Sequence, residues 1–302
     1  MGYTFKEKFH AWWEGYDLPP QGGIAGSVAD LQSEMQDASG ETAKLDPNKI
    51  TLDKLDFLQA LWGKGQIRPG SKEQALANSK PLILTDSTQV IEFGAGLGNY
   101  ARAIAAANIC YVDAFESDPL VVEAAQGQQQ TPEEEKFASV ALTTLDEMPN
   151  EKSYARVIFN RYLHRLENPT AMLVMARDQL KEQGVLLLNE YTAGPGGLLP
   201  DDTQAMMDGF SAPRPLISRE VYCTALEELG FQIRVNEDGT AQHLRDIALA
   251  WSDFNKRLVD GEISLDLREM APLIEQETER WGALSQALQD GTLQYARILA
   301  MV

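Results

Sequence analysis

One acid and three glycines form the group of residues in this chain whose types and spacing are most suited to chemistry. Glu92 lies within a short apolar run, two residues before a turn that has Gly94, Gly96 and Gly98 at alternate positions. A dinucleotide-binding turn has its third glycine one residue later, where Asn99 stands. The carboxylate suits a ligand with an ammonium and a sulfonium better than a pyrophosphate. The pattern therefore predicts a site for S-adenosylmethionine (SAM), with an unrelated glycine turn of an α/β protein as the alternative.

The residues that flank this turn predict the elements that hold it. The apolar run Val90–Phe93 is typical of a buried strand, and apolar residues recur at helical spacing from Ala101 to Asn108. A strand, a tight glycine turn and a helix in this order begin a nucleotide-binding α/β half. The letters E-x-G-x-G-x-G also resemble motif I of the class I SAM-dependent methyltransferases. The resemblance implies a Rossmann-like fold and SAM as the cofactor.

A second acid follows the next predicted strand. The run Ile109–Glu116 is mainly apolar and ends in Glu116. An acid about 20 residues beyond such a glycine turn can accept hydrogen bonds from both hydroxyls of a ribose. We expect Glu116 to do so rather than Asp118, because Glu116 lies nearer to the crevice. Asp118 is also suited to cap the following helix.

A glycine-rich segment ahead of the first strand makes the resemblance more specific. The segment Trp62–Gly70, W-G-K-G-Q-I-R-P-G, is similar to the one that precedes motif I in phosphoethanolamine N-methyltransferases and closes over SAM and substrate. A simple connector is the alternative. Two positions depart from that family, because Ile50 stands where it has a tyrosine and Arg68 where it has a serine. The resemblance therefore implies the same architecture with a different small-molecule substrate.

The segments after the fourth and fifth predicted strands supply the candidates for catalysis. After Tyr154–Asn160, the letters R-Y-L-H-R-L resemble the L-H-x-L turn at which family side chains face the donor methyl, so His164 is one candidate. Tyr191 ends the fifth strand, V-L-L-L-N-E-Y, at the carboxyl edge where open α/β sheets bind ligands. A tyrosine lines the pocket there in the phosphoethanolamine enzymes. For both residues a packing role is the alternative.

The resemblance assigns further residues to the two ligands. Thr144 aligns with a family residue, often an acid, that contacts adenine. Arg214, in a glycine- and proline-rich insertion, can bind an anionic group bidentately or lie at the surface. The expected cofactor-binding residues are Glu92, Gly94, Ala95, Gly96, Gly98, Glu116, Ser117, Thr144, Leu145 and Asn160. The expected substrate-binding residues are Trp62, Arg68 and Arg214, the catalytic candidates are His164 and Tyr191, and no metal site is expected.

The composition of the chain indicates which kinds of binding partner are unfavourable. The chain has 302 residues, a formal net charge of −19 and a pI near 4.5. These values disfavour nucleic acid, whose binding is built from clustered Lys and Arg. No membrane partner is expected either, because no apolar run approaches the ~20 residues needed to span a bilayer. Cys110 and Cys223 are expected to be reduced, buried thiols in a cytoplasmic protein.

The expected architecture is an α/β, Rossmann-like class I methyltransferase fold, with a seven-stranded, mostly parallel sheet and helices on both faces. Residues 46–302 are expected to form this domain, with a cap inserted at about 192–217. Residues 1–45 are expected to form a helical extension. The aromatic face of this extension is expected either to pack on the domain, to cover the active site as a lid, or to form the interface of a homodimer. Locally, residues 126–136 are expected to be a loop, and the helix that begins at Pro169 is expected to continue to Glu182.

These inferences predict a SAM-dependent methyltransferase that acts on an amine, thiol or hydroxyl of a small molecule and releases S-adenosylhomocysteine (SAH). Catalysis in such a site rests on positioning and desolvation, with a general base where the nucleophile carries a proton. One alternative is a non-catalytic regulatory or interaction protein, which would bind SAM without turnover. Another is a nucleotide-dependent oxidoreductase, which would bind NAD(H) instead and which Asn99 argues against.

Overall fold

The computed structural model describes residues 49–128, 130–142, 154–207, 215–263 and 267–302. The chain divides into two units, Met1–Asp46 and Pro47–Val302, and every described residue belongs to the second unit. The predicted N-terminal aromatic helix lies outside the described residues. Thr144, Leu145 and Arg214 lie outside them as well.

The centre of the fold is a seven-stranded sheet with the strand order β3-β2-β1-β4-β5-β7-β6. Neighbouring strands are parallel except at β7, which runs antiparallel to both β5 and β6. This topology confirms the predicted, mostly parallel sheet. The strands are β1 (Gln89–Phe93), β2 (Tyr111–Glu116), β3 (Ala138–Leu142), β4 (Tyr154–Asn160), β5 (Leu180–Ala193), β6 (Gln232–Asp238) and β7 (Leu293–Met301).

Helices precede the sheet and connect its strands. They are α1 (Leu52–Trp62), α2 (Lys72–Ser79), α3 (Asn99–Asn108), α4 (Pro119–Gln126), α5 (Pro132–Phe137), α6 (Pro169–Gln179), α7 (Asp201–Ala205), α8 (Arg219–Glu228), α9 (Thr240–Val259) and α10 (Leu267–Asp290). No helix in the described ranges has the length and apolar character that a bilayer span requires.

The side chains of β1 alternate between two different environments. Ile91 and Phe93 belong to the main apolar core, which includes residues of α6 and α8. Glu92 points to the other face of the sheet, because successive side chains of a strand lie on opposite faces. It is completely buried there. The strand therefore places a buried acid on the side of the sheet that faces away from the main core.

Gly98 is the residue that allows the helix α3 to begin directly after the glycine turn. It has a φ of +82°, and a Cβ atom added to it would lie 2.5 Å from Cγ2 of Val140 in β3. A side chain at this position would thus be strained and would collide with the sheet. The third glycine serves close packing of helix and sheet, although it stands one residue earlier than in a dinucleotide fingerprint.

Two local expectations were wrong. The segment expected to be a loop contains α5, because Pro132 begins a helix that Thr131 and Glu134 close with a reciprocal capping box. The helix α6 ends at Gln179 rather than Glu182, because Leu180 already pairs with Tyr154 in the sheet. The strand β5 is consequently longer than its apolar run indicates.

Candidate functional site

A cavity of about 500 Å³ opens at the carboxyl edge of the sheet. The glycine turn after β1 and the loop between α1 and α2 form one side of it, and Gln242 and His243 of α9 line another part. Its strand residues come from five neighbouring strands: Glu92, Asn160, Asn189, Tyr295, Arg297, Glu237 and Asp238. The cavity therefore lies where open α/β sheets bind their ligands.

A row of buried polar side chains runs across the wall of this large cavity. Asn160 donates from Nδ2 to Oε1 of Glu92 over 2.5 Å, and Asn189 donates from Nδ2 to Oδ1 of Asn160 over 2.9 Å. Among the described residues that line this cavity, three have a buried oxygen without a hydrogen-bond partner: Oε2 of Glu92, Oδ1 of Asn189 and Oη of Tyr100. Unsatisfied buried polar atoms are costly, so this arrangement is suited to a ligand that brings hydrogen-bond donors.

The electrostatics of this row follow from its burial. Burial raises the pKa of Glu92 to about 7, although the hydrogen bond from Asn160 and the nearby Arg161 lower it. Burial also raises the pKa of Tyr100, and the charge of Glu92 raises it further. Glu92 therefore loses its proton much less readily than an exposed carboxyl group does. A cationic group placed beside its free oxygen would favour the ionised form.

Glu116 lies at the end of β2 against the glycine turn. Its Oε2 accepts the N–H of Gly96 over 2.9 Å, and its Oε1 accepts the N–H of Ser117 over 2.8 Å. Arg68 and Arg165 place guanidinium nitrogens 3.5 and 3.4 Å from these two oxygens. Burial alone would raise the pKa of Glu116, but the two cations and the two amide donors outweigh it and hold the pKa at about 2. Glu116 is therefore ionised at neutral pH.

His164 is held by an acid that the sequence did not single out. Its Nδ1 lies 2.5 Å from Oε1 of Glu190, and both residues are buried. Burial would raise the pKa of Glu190, but His164 and the N–H groups of Tyr191 and Leu163 lower it below its ordinary value. An ionised Glu190 can only accept, so Nδ1 of His164 carries the proton of this hydrogen bond.

Tyr191 is paired with a second histidine. Its Oη lies 2.8 Å from Nε2 of His243, whose ring stacks on Tyr295 with 4.1 Å between the centroids. Burial and the nearby Arg161 lower the pKa of His243 well below its ordinary value. His243 is therefore neutral at neutral pH, and its Nε2 can accept the hydrogen bond of the phenol.

The two catalytic candidates meet at a second, small cavity of about 10 Å³. The rings of His164 and Tyr191 stand nearly perpendicular, with 5.5 Å between their centroids. The residues that line the cavity are Arg68, Pro69, Arg161, His164, Tyr191, Met207, Arg280, Trp281 and Leu284. Because α10 contributes three of them, this helix closes the cavity from one side.

Arg161 lines both cavities, as Arg68 and Pro69 also do. Its φ is +52°, in the left-handed region that side chains other than glycine rarely adopt. Two hydrogen bonds hold it there: its N–H donates to the carbonyl of Asn189 and its Nη1 to the carbonyl of Pro69. Strained residues held in this way concentrate at functional sites. No motif or periodicity in the sequence singles out this residue.

The sequence-predicted residues fall into four groups in the structure, one of which is the pair His164 and Tyr191 at the small cavity. The large cavity brings together Glu92, Gly94, Ala95, Gly96, Arg68 and Asn160. Glu116 and Ser117 lie beside the glycine turn through the contacts described above, and Gly98 begins α3. Trp62 lines neither of the two cavities and instead packs edge-on against Trp281, with 4.7 Å between the ring centroids. Thr144, Leu145 and Arg214 lie outside the described residues.

Sequence reasoning missed the residues that hold the predicted ones. Glu190 and His243 position His164 and Tyr191, and Asn189 and Tyr100 complete the polar wall of the large cavity. Asn189, Glu190 and Tyr191 are adjacent at the end of β5, which the sequence did place at the ligand-binding edge. Their separate roles depend on the register of that strand. His243 had no local signal, because it lies 52 residues beyond its partner.

Comparison with known proteins identifies the family to which this chain belongs. A family model described as a methyltransferase domain matches residues 53–235. No curated protein matches the chain at a significant level. Solved structures do match, and all of those described here are less than 20% identical in sequence, so they bear on the fold alone.

Three of these structures illustrate the range of fold relatives. Phosphoethanolamine N-methyltransferase 2 from Haemonchus contortus, solved with phosphomonomethylethanolamine and SAH, has a TM-score of 0.71 at 17% identity, over 83% of this chain and 58% of that one. A putative sarcosine dimethylglycine methyltransferase from Galdieria sulphuraria has a TM-score of 0.64 at 16% identity, over 82% and 98%. A cyclopropane synthase from Mycobacterium tuberculosis has a TM-score of 0.65 at 15% identity, over 82% and 94%.

Proposed function

The chain belongs to the methyltransferase-domain family, and from this premise we propose that it is a SAM-dependent methyltransferase that acts on a small molecule. The observation that carries the proposal is the large cavity beside the glycine turn, with its buried and unpartnered acceptors. The fold relatives named above are a phosphoethanolamine N-methyltransferase, a putative sarcosine dimethylglycine methyltransferase and a cyclopropane synthase. The chain spans 58% of the length of the first of them.

The residues of the large cavity fit the cofactor. SAM has an ammonium at one end, and the free Oε2 of Glu92, beside Oδ1 of Asn189 and Oη of Tyr100, would accept its hydrogen bonds. Glu116, ionised at the end of β2, would accept those of the ribose hydroxyls. Bound between these residues, SAM supplies an activated methyl group on a sulfonium. The glycine turn Gly94–Gly98 would lie against it without side chains.

The small cavity has room for about one water molecule, so it would admit only the reacting group of a proton-bearing acceptor. Glu190 keeps the proton of His164 on Nδ1, so Nε2 can take the proton of an amine, thiol or hydroxyl that attacks the methyl group. Tyr191, hydrogen-bonded to His243, can orient the same acceptor from the other side. Trp281 and Leu284 of α10 exclude water from this space. We therefore assign His164 as the general base, Glu190 as its positioning residue and Tyr191 as the acceptor-orienting group.

Calorimetric titration of the purified full chain with SAM and SAH tests the proposal. The wild-type protein is expected to bind both at micromolar Kd, and Glu116→Gln is expected to lose at least tenfold in affinity, because a neutral amide replaces the ionised acceptor. Glu123→Gln, an exposed glutamate of α4, is the matched control and should bind as the wild type does. No binding of either ligand to folded protein would refute the proposal.

A second measurement separates an enzyme from a binding protein. Small amines, thiols and phenols are incubated with SAM and the protein, and the release of SAH is measured. Turnover of one class identifies the acceptor atom, and its loss in His164→Gln with unchanged SAM affinity would support the general base. Binding of SAM without turnover of any class would favour the non-catalytic alternative.

A further inference from the structure

Arg68 lies on the cofactor side of the site, against the carboxylate that the ribose would need. Its Nη1 is 3.5 Å from Oε2 of Glu116 and 3.4 Å from the carbonyl oxygen of Gly94. The side chain is 10% exposed and that of Glu116 is 1% exposed. At such burial a guanidinium and a carboxylate interact much more strongly than an exposed ion pair does.

The acceptor capacity of Glu116 is already taken up in this arrangement. A carboxylate offers about four lone-pair positions on its two oxygens. Oε2 faces the N–H of Gly96 and Nη1 of Arg68, and Oε1 faces the N–H and hydroxyl of Ser117 and Nη1 of Arg165. Two ribose hydroxyls can therefore bind Glu116 only if other donors leave it.

The donors differ in how easily they can leave. The amides of Gly96 and Ser117 are fixed by the glycine turn and by the end of β2. Arg165 lies in the short 3₁₀ turn Leu163–Arg165 that carries His164, so its position is tied to the catalytic candidates. Arg68 instead lies on the loop between α1 and α2, and its side chain already lines both cavities. Its guanidinium has room to move from Glu116 into the large cavity of about 500 Å³ without unfolding of the loop.

We propose that Arg68 competes with the ribose of the cofactor for Glu116 and thereby sets the affinity of the protein for SAM. This inference rests on the proposed function, because it takes Glu116 as the ribose-binding acid. In the absence of cofactor, Arg68 neutralises the buried carboxylate and closes the ribose site. Cofactor binding displaces the guanidinium, so part of the binding free energy is consumed in breaking the pair and the measured affinity is lower than the site alone would allow.

The test compares nucleosides that differ only in the hydroxyls that Glu116 would bind. Adenosine and 2′,3′-dideoxyadenosine are titrated calorimetrically into wild-type protein, Arg68→Met and Lys64→Met. Methionine keeps the length of the side chain and removes every donor, and Lys64 is an exposed cation of the same loop that serves as the control. Arg68→Ala repeats the measurement with a second side chain, in case the methionine variant does not fold.

We expect the Arg68 substitutions to raise the affinity of the protein for adenosine and not for dideoxyadenosine. Adenosine should bind Arg68→Met about tenfold more tightly than the wild type, equivalent to about 1.4 kcal/mol. Its affinity for Lys64→Met should be unchanged, and dideoxyadenosine should bind all three proteins within about twofold of each other. Unchanged or weaker adenosine binding in both Arg68 variants would overturn the inference. An equal gain for both nucleosides would also overturn it, because it would make Arg68 a steric obstacle and not a competitor for the carboxylate.

Titration of the same proteins with SAH separates this inference from the proposed function. If the wild type does not bind SAH, the proposed function fails and the inference fails with it. If the wild type binds SAH but the Arg68 variants bind adenosine as the wild type does, the inference alone fails. Tighter binding of both SAH and adenosine by Arg68→Met supports the two together.

Discussion

Oε1 of Glu190 lies 2.5 Å from Nδ1 of His164, and the same carboxylate anchors the turn that carries the histidine. It accepts the backbone N–H groups of Tyr162 and Leu163 through Oε2 and that of Tyr191 through Oε1. One buried charge therefore satisfies four donors from two neighbouring strand ends. The orientation of the catalytic candidate and the local stability of its turn depend on the same residue.

Glu190→Gln is expected to destabilise the fold at neutral pH by about 3 kcal/mol, because it removes a buried anion from its donors. The pKa of Glu190 is lowered from its ordinary value of 4.5, so its ionisation stabilises the folded state above that value. This contribution is lost as the pH falls through the folded-state pKa. Urea unfolding should therefore give a gap between wild type and variant at pH 7 that narrows in acid.

Glu182→Gln, an exposed glutamate on the same strand, is the control for this measurement and should match the wild type at both pH values. Equal stability of Glu190→Gln and wild type at pH 7 would mean that the carboxylate is not the anchor described here.

Glu92 predicts a pH dependence of the opposite sign. Burial raises its pKa to about 7 from 4.5, so the folded protein binds more protons than the unfolded chain between these values. The free energy of unfolding must fall as the pH rises through this window. Glu92→Gln keeps the acceptor for Asn160 and removes the cost of ionisation. We expect it to be more stable than the wild type at pH 8, by up to about 3 kcal/mol, and equally stable near pH 4.

The same substitution should weaken SAH binding, because an amide oxygen carries no charge for the ammonium. Chemical denaturation at pH 4 and 8, with SAH titration at pH 8, checks both expectations on one protein. A variant that is less stable than the wild type at pH 8 would contradict the raised pKa.

The residues of the glycine turn and the end of the second strand could be predicted from the sequence. The residues that hold His164 and Tyr191 in place could not. The turn Gly94–Gly98 is readable because its strand, glycines and helix follow one another within a few residues. Glu116 is readable because it ends the next strand. The pairs that fix His164 and Tyr191 are not, because they join residues 26 and 52 positions apart and depend on strand register and on where α9 packs.

The misplaced elements have local and non-local causes. The helix α5 could have been predicted from the sequence, because Thr131 and Glu134 have the spacing of a capping box. The early start of β5 was not, because helix-compatible residues up to Glu182 are drawn into the sheet by pairing of Leu180 with Tyr154. A tertiary contact there overrides the local preference of the sequence.

Tyr191→Phe is expected to separate chemistry from cofactor binding. The ring would keep its packing against His164 and Tyr295, with 5.5 and 5.6 Å between centroids, and would lose only the hydroxyl that bonds His243. Affinity for SAH should stay within about twofold of wild type, and methyl transfer to the acceptor found by the screen should slow about 100-fold. Tyr111→Phe, on a half-exposed tyrosine of β2, is the control. An unchanged rate would leave Tyr191 a packing residue.

Gly98→Ala separates backbone strain from steric collision at the start of α3. Gly98 and Gly230 have almost the same φ, +82° and +85°, but a Cβ at Gly98 meets Val140 at 2.5 Å whereas one at Gly230 meets nothing within 4 Å. Gly230→Ala thus measures the cost of the left-handed conformation alone, about 1 kcal/mol. We expect Gly98→Ala to cost about 1–3 kcal/mol more, because helix or strand must shift.

Urea unfolding of the double variant Gly98→Ala, Val140→Ala identifies the source of that excess. Removing the methyl groups of Val140 should recover most of it, beyond the sum of the two single effects, because the colliding atoms belong to this pair. SAH affinity should fall in Gly98→Ala and recover in the double variant, since the turn and α3 move together. If the effects of the two single substitutions on the free energy of unfolding are additive, the strain lies within the turn itself and does not come from a collision with Val140.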